Sequence, residues 1–167
     1  MKLYRTELDK GINKKLFDID INQFQLDELS FYEDIIKGEL SAEQSSNGYH
    51  ISGTINIPFE QTCDRCLIVF HNLKNVDFNF WFTDDNNLLQ DDSDDVLYLS
   101  KDDDEIDLKT LFREVIILNE QMKSLCSQNC KGLCSNCGSN LNEENCMCSV
   151  EIKDNPWKVL KNLKGTA

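Results

Sequence analysis

The chain has 167 residues, of which 40% are hydrophobic, and its formal net charge is −13. This length is typical of one domain with a small appendage, and the apolar content is sufficient for a core. No run of about 20 apolar residues is present, which excludes a membrane-spanning helix, and the acidic balance argues against a general binder of nucleic acid.

β-Strands are predicted for much of the first half of the chain. Residues 16–40 mix apolar and polar positions without a clear period, and we interpret them as short strands. From residue 49 onwards, apolar residues alternate with polar ones in the period of a half-buried strand. The alternating apolar residues are Ile51, Ile55 and Ile57, followed by Val76, Phe78, Phe80 and Phe82. Residues 49–82 therefore predict antiparallel strands, with Cys63 and Cys66 at a connection.

Most of the negative charge lies in one segment. Residues 84–107 hold eleven acidic residues and one lysine, whereas the rest of the chain carries a net charge of only −3. Charge blocks of this density are usually solvated, so a mobile acidic loop is predicted over residues 84–105. Residues 96–99 are apolar enough to pair as a short strand within it. The alternative use of this segment is to attract the basic surface of a partner.

Two helices are predicted in the second half. IDLKTLFREVIILNEQM has apolar residues at three- and four-residue spacing, with Asp107 available as an N-cap and Met122 as the last member of the stripe. This helix is expected to pack on the sheet. Near the C-terminus, Asn155 and Pro156 can begin a short amphipathic helix over WKVLKNLK. Its apolar face could fasten onto its own domain or anchor a partner.

These elements predict an α+β fold. The expected architecture is an antiparallel β-sheet packed with one long helix, plus a cysteine-rich zinc-binding segment and a short C-terminal helix. The first domain would comprise residues 1–122 and contain the mobile acidic loop. Residues 123–167 would form the cysteine-rich segment with the C-terminal helix packed on it.

Eight cysteines carry the chemistry of the chain. The N-terminal sequence MKLYRTELDKGINKK has no apolar run that could be the core of a signal peptide, so we expect a cytoplasmic protein with reduced thiols. Crowded thiolates under those conditions indicate tetrahedral zinc in a structural role. The cysteines are Cys63, Cys66, Cys126, Cys130, Cys134, Cys137, Cys146 and Cys148.

The spacing divides these cysteines into two sets. Cys134 and Cys137 form C-x2-C with Gly138 directly after, an arrangement that aims two sulfurs at one ion. Cys146 and Cys148 follow after a loop rich in turn residues, and they can complete the first set. The second set would join Cys63 and Cys66 to Cys126 and Cys130, about 60 residues later. One or two zinc ions are expected. The rival interpretation is a redox-active C-x-x-C at Cys63 and Cys66.

Other catalytic patterns are missing from the sequence. His50 and His71 lie in predicted strands with polar neighbours, and we interpret both as ordinary strand residues, because a lone histidine needs an orienting partner to form a site. No nucleophile elbow, zinc-protease motif or phosphate-binding glycine loop is present in the sequence. Neither a small-molecule substrate nor an enzyme activity is expected.

Four stretches of the sequence resemble, in order, the motifs of the YceD family, the large ribosomal RNA subunit accumulation proteins. They are TCDRCL, EIDLKTLFREVIILNEQM, CSQNCKGLCSNCGSNLNEENCMC and NPWKVLKNLK. The resemblance covers the chain from about residue 50, and Ser135 stands where the family often has proline. It implies a non-enzymatic ribosome biogenesis factor that supports synthesis, processing or accumulation of 23S rRNA in bacteria or plastids. The missing transit peptide favours a bacterial cytoplasm.

An acidic chain can contact RNA only locally. The expected partner is ribosomal RNA or a pre-50S particle, and a basic ribosomal protein is the alternative, which the acidic segment would bind as a chaperone does. No membrane contact is expected. Outside the acidic segment, the candidate contacts for RNA or partner are Arg65, Lys123, Lys131, Lys158, Lys161 and Lys164.

Overall fold

The computed structural model describes residues 1–26, 28–83, 96–100 and 102–148. This part of the chain is mostly β-sheet with two helices. The strands are β1 Lys2–Tyr4, β2 Ile12–Asp20, β3 Ile35–Ser45, β4 Gly48–Thr62, β5 Val69–Thr83, β6 Val96–Tyr98 and β7 Glu105–Asp107. The helices are α1 Arg5–Leu8 and α2 Lys109–Leu118, and a 3-10 turn covers Ile21–Phe24. None of the described helices is long and apolar enough to cross a membrane.

A five-stranded sheet forms the body of the fold. Its strand order is β2-β3-β4-β5-β6, and the first four strands are antiparallel. β4 and β5 pair along their full length, from Gly48 opposite Thr83 to Thr62 opposite Val69. β6 is parallel to the end of β5, so the predicted strand at residues 96–99 is confirmed. The guess of short strands within residues 16–40 is confirmed in part, because β2 and β3 are longer than expected.

The alternating residues bury one face of this sheet. Ile51, Ile55 and Ile57 are fully buried, and Val76, Phe78 and Phe82 are 5–6% exposed. Helix α2 packs on this face through Phe112, whose ring lies 5.1 Å from that of Phe78 and 5.5 Å from that of Phe17. The aromatic contacts fix α2 across β2 and β5.

The predicted helix is shorter than its apolar pattern. α2 begins at Lys109 with Leu108 at the N-cap position, although Asp107 still accepts a hydrogen bond from the Lys109 N–H at 3.0 Å. It ends at Leu118, and Met122 is fully exposed, so the assignment of Met122 to the buried stripe was wrong. The chain leaves the helix here because Ser124 is held against Asp64 at the connection between β4 and β5.

The short elements β1, α1 and β7 were not predicted. The four-residue helix α1 follows β1, which pairs with β7 about a hundred residues later. Strand β6 and residues 102–105 lie within the segment predicted to be a mobile loop, and Glu105 at its C-terminal end pairs with Tyr4 of β1, while the mobility of the loop stays a prediction. The rest of that prediction, at residues 84–95 and 101, falls outside the described residues. The predicted C-terminal helix also lies outside them.

Candidate metal centre

The connection between β4 and β5 is a tight turn that carries Cys63 and Cys66. The Cys63 N–H donates to the Ile68 carbonyl at 2.9 Å, and the Leu67 N–H donates to the Cys63 carbonyl at 2.9 Å. Closing the turn requires a left-handed residue, and Leu67 adopts φ 59°. A non-glycine residue with this φ is uncommon. The turn directs both sulfurs to the same side, and the exposed fractions of Cys63 and Cys66 are 0% and 3%.

A second turn of the same construction carries Cys134 and Cys137. The Cys134 N–H donates to the Ser139 carbonyl at 2.8 Å, and the Gly138 N–H donates to the Cys134 carbonyl at 2.9 Å. Gly138 has φ 77° in the position that Leu67 occupies in the first turn. The two C-x2-C turns therefore share their hydrogen-bond pattern and their left-handed residue, which glycine supplies without strain.

The first set of sulfurs joins distant parts of the chain. Cys63, Cys66, Cys126 and Cys130 bring their Sγ atoms within 4.8 Å of one another. Cys63 Sγ lies 3.8 Å from that of Cys130, and Cys66 Sγ lies 3.6 Å from that of Cys126. Those separations are too long for disulfide bonds, in which the sulfurs lie about 2 Å apart. We call these four residues the inner set.

Residues between the cysteines hold the inner set together. The Asp64 N–H donates to the Ser124 carbonyl at 2.9 Å, and the Asp64 carboxylate accepts from the Ser124 N–H at 2.7 Å. Arg65 donates through Nη1 to the Cys130 carbonyl at 2.9 Å. Its own carbonyl accepts from the Leu133 N–H at 3.1 Å. The loop from Ser124 to Leu133 is thus tied to the turn by backbone and side-chain hydrogen bonds, in addition to the close approach of the sulfurs.

The remaining four cysteines form an outer set that is more exposed. The Sγ atoms of Cys134, Cys137, Cys146 and Cys148 also lie within 4.8 Å of one another, and Cys146 Sγ is 3.3 Å from that of Cys134. Asn142 connects the two sets, because its side-chain amide donates to Cys130 Sγ at 3.3 Å and its Oδ1 accepts from the Lys131 N–H at 2.8 Å.

Each set contains two thiols that ionise more readily than free cysteine and two that ionise less readily. In the inner set, burial raises the pKa of Cys63, but N–H groups of Cys126, Cys66 and Arg65 outweigh it and lower the pKa to about 6. Burial raises the pKa of Cys126 to about 12. The other inner thiols follow the same division, with a lowered pKa for Cys130 and a raised pKa for Cys66.

The outer set repeats this division. N–H groups of Cys137 and Asn136 lower the pKa of Cys134 to about 6. A hydrogen bond with Cys137 and burial raise the pKa of Cys148 to about 12. The pKa of Cys137 is lowered and that of Cys146 is raised. Four neighbouring thiols cannot all ionise without a counter-charge, and a divalent cation among the sulfurs would supply one.

The structure groups the cysteines into the two sets that their spacing predicts. It also places Asp64 and Asn142, whose roles the sequence analysis missed. Asp64 follows Cys63 directly, and an Asp within a C-x2-C turn is a signal that could have suggested a backbone contact. Of the candidate contact cations, Arg65 and Lys131 lie beside the inner set and Lys123 precedes Ser124. Lys158, Lys161 and Lys164 fall outside the described residues.

Comparisons with known proteins agree with the resemblance found in the motifs. The family model of the large ribosomal RNA subunit accumulation protein YceD matches residues 51–164, which include both cysteine sets. The chain belongs to the YceD family. Within this family, it is similar to YCED homolog 1, chloroplastic, of Arabidopsis thaliana, with 33% identity over 98 residues. It is also similar to the protein of the same name from Zea mays, with 43% identity over 58 residues.

These matches cover only part of each protein. The Arabidopsis match covers 53% of this chain and 30% of the relative, and the maize match covers 34% of this chain and 20% of the relative. The chain therefore matches less than a third of either plant protein. No solved structure matches it.

Proposed function

We propose that this YceD family member is a non-enzymatic factor that supports synthesis, processing or accumulation of 23S rRNA in a bacterial cytoplasm. The observation that carries the proposal is the family match across residues 51–164, which spans the inner set, α2 and the outer set. The site chemistry supports a role without catalysis, because four protein sulfurs in each set would fill a tetrahedral shell and leave no position for substrate.

We propose further that each set holds one structural zinc ion. Zinc–sulfur bonds of about 2.3 Å in a tetrahedron place the sulfurs about 3.8 Å apart. In the inner set, the two neighbouring sulfur pairs lie 3.8 and 3.6 Å apart, and in the outer set Cys134 Sγ and Cys146 Sγ lie 3.3 Å apart. Zinc would join the β4–β5 turn to the segment after α2, and then join that segment to its own C-terminal part.

Zinc affinity should fall steeply as the pH is lowered. At neutral pH, two thiols of each metal-free set stay protonated because their pKa values are raised. Binding must release these protons, so at least two leave per zinc ion and the apparent affinity should change at least about 100-fold per pH unit. Competition with a chromophoric chelator between about pH 6 and pH 8 measures this slope. A slope clearly below two protons per zinc ion would contradict four-thiolate coordination.

Local cations beside the inner set are the proposed contact with RNA. Three exposed cations lie near Cys126 and Cys130. Arg65 bonds to the Cys130 carbonyl, Lys131 directly follows Cys130, and Lys123 lies three residues before Cys126. A zinc ion in the inner set would hold the loop and the β4–β5 turn together, and the three cations would then keep a fixed arrangement. In the sequence they lie outside residues 84–107, which carry most of the negative charge and would repel phosphate.

Changing these three cations to Glu should weaken association with pre-50S particles. The slope of log affinity against log salt should fall by about 2–3 units if each contacts one phosphate. Pull-down from cells at several salt concentrations, with and without RNase, measures this. Lys10, Lys14 and Lys109 are exposed elsewhere, and changing them to Glu gives a control of equal charge. Because Arg65 also bonds to Cys130, the Lys123 and Lys131 double variant is measured alongside.

Two other functions give different results in the same experiment. If a basic ribosomal protein is the partner, capture survives RNase and depends on acidic residues 84–105. If the protein is a C-x-x-C thiol oxidoreductase, no ribosomal particle is captured and Cys63 and Cys66 cycle between dithiol and disulfide. The geometry favours zinc over this second role, because Cys63 and Cys66 are buried in a turn between strands and not at the N-terminus of a helix.

A further inference from the structure

An open groove lies between α2 and the edge of the sheet at β5 and β6. Its volume is about 450 Å³, and Asp77 and Glu114 stand at its border, both exposed. β6 pairs only with Trp81–Thr83, so it leaves the edge of β5 along the groove uncovered in the described part of the chain. The floor is apolar and consists of Phe78, Phe80, Leu97, Leu111, Val115 and Leu118.

The floor contains a large apolar side chain that is almost fully in water. Leu118 is 82% exposed, and Phe80, Leu97, Leu111 and Val115 are only partly buried. A continuous apolar surface flanked by two carboxylates is suited to an amphipathic segment with apolar residues on one side and cations beside them.

Two longer segments of the chain lie outside the described residues and are candidates to bind in the groove. Their charges are opposite in sign, so only one of them is attracted by Asp77 and Glu114. Residues 84–95 contain six acidic residues and no cation, so Asp77 and Glu114 would repel them. Residues 155–164 contain three lysines and no acidic residue. Their apolar residues Trp157, Leu160 and Leu163 recur at three-residue spacing, which would place them on one face if the segment is helical.

The connecting chain is long enough for residues 155–164 to return to the groove. Leu118 in the groove lies eight residues before Cys126 of the inner set, and Trp157 lies nine residues after Cys148 of the outer set. The two sets are neighbours, because Asn142 bonds to Cys130 and Lys131. The chain from Cys148 to Trp157 is therefore about as long as the chain from Leu118 to Cys126, and it can span up to roughly 30 Å when extended.

We propose that residues 155–164 bind in this groove of their own chain as a short helix. Trp157, Leu160 and Leu163 then cover the apolar floor, and lysines from the same segment lie beside Asp77 and Glu114. This contact would hold the C-terminal side of the cysteine-rich segment against the sheet. The inner set holds the N-terminal side of the same segment at the β4–β5 turn. The proposal does not depend on the function in RNA accumulation.

Trp157 can report on this contact in the full chain. The protein has two tryptophans, and Trp81→Phe leaves Trp157 as the single tryptophan, which is excited selectively at the red edge of the absorption band. In this parent, emission should lie at shorter wavelength than in the denatured chain, and acrylamide quenching should be several-fold weaker. Leu118→Glu should shift emission to longer wavelength and raise quenching to nearly the denatured value. The fold should tolerate it because Leu118 is 82% exposed.

A matched control and a concentration series complete the test. Leu16 in β2 is 78% exposed at the far edge of the sheet, and Leu16→Glu should leave Trp157 unchanged. Asp77→Lys with Glu114→Lys should weaken shielding in the same direction as Leu118→Glu. The proposal is wrong if Trp157 is as quenched in the parent as in the denatured chain, or if both leucine variants act alike. Shielding that disappears on dilution would show a second copy in the groove and would overturn it as well.

Discussion

Removing the proposed zinc ions should unfold residues 124–148 and leave the five-stranded sheet folded. This segment has only four apolar residues besides its cysteines, Leu125, Leu133, Leu141 and Met147, and Met147 is fully exposed. Structural zinc contributes about 10–16 kcal/mol in small zinc-binding peptides, which is more than such a segment can gain by burial. The core of the sheet contains no cysteine. Hydrogen exchange with and without a strong chelator measures both regions in one sample.

Single cysteine variants should separate the two sets. Cys134→Ser should remove protection from residues 131–148 while the inner set keeps Cys126 and Cys130 in place. Cys63→Ser should release residues 124–148 together, because the outer set is joined to the sheet through the inner set. Ser135→Ala lies in the outer turn at an exposed position that bears no sulfur, and it should behave as the parent. Unchanged exchange in Cys134→Ser would contradict a metal in the outer set.

Cells that lack this protein should contain less mature large-subunit RNA relative to small-subunit RNA. Sucrose-gradient sedimentation should show fewer 50S particles relative to 30S particles, as the proposed role in 23S rRNA accumulation requires. Complementation with the parent or with Ser135→Ala should restore the ratio. The Cys63→Ser variant should fail because it frees the loop that carries Lys131 and directly follows Lys123. Unchanged subunit ratios in the deletion strain would contradict the RNA role and the ribosomal-protein alternative together.

The sheet could be predicted where its signal is local. In β4 and β5, apolar and polar residues alternate because one face of the sheet is buried and the other is in water. This alternation can be recognised in a single strand, without knowledge of the strand it pairs with. The pairing of β1 with β7 could not be predicted in this way, since Lys2–Tyr4 and Glu105–Asp107 are three residues long and a hundred residues apart. Short strands have no period to detect.

The end of α2 shows how a tertiary contact overrides a helical pattern. Met122 continues the three- and four-residue spacing, yet the helix ends four residues earlier because the chain turns to place Ser124 against Asp64. The cysteine sets could be predicted because a C-x2-C turn directs two sulfurs together within six residues. The support from Asn142 could not, because it depends on how the two sets lie next to each other.

Native mass spectrometry of the full chain with thiol labelling tests the two-zinc arrangement most directly. We expect a mass equal to the chain plus two zinc ions, with all eight cysteines protected from iodoacetamide until a chelator is added. A mass that corresponds to one bound zinc ion would contradict zinc in one of the two sets and leave the other zinc site in place. The mass of the bare chain, with eight thiols that react at once, would contradict the account.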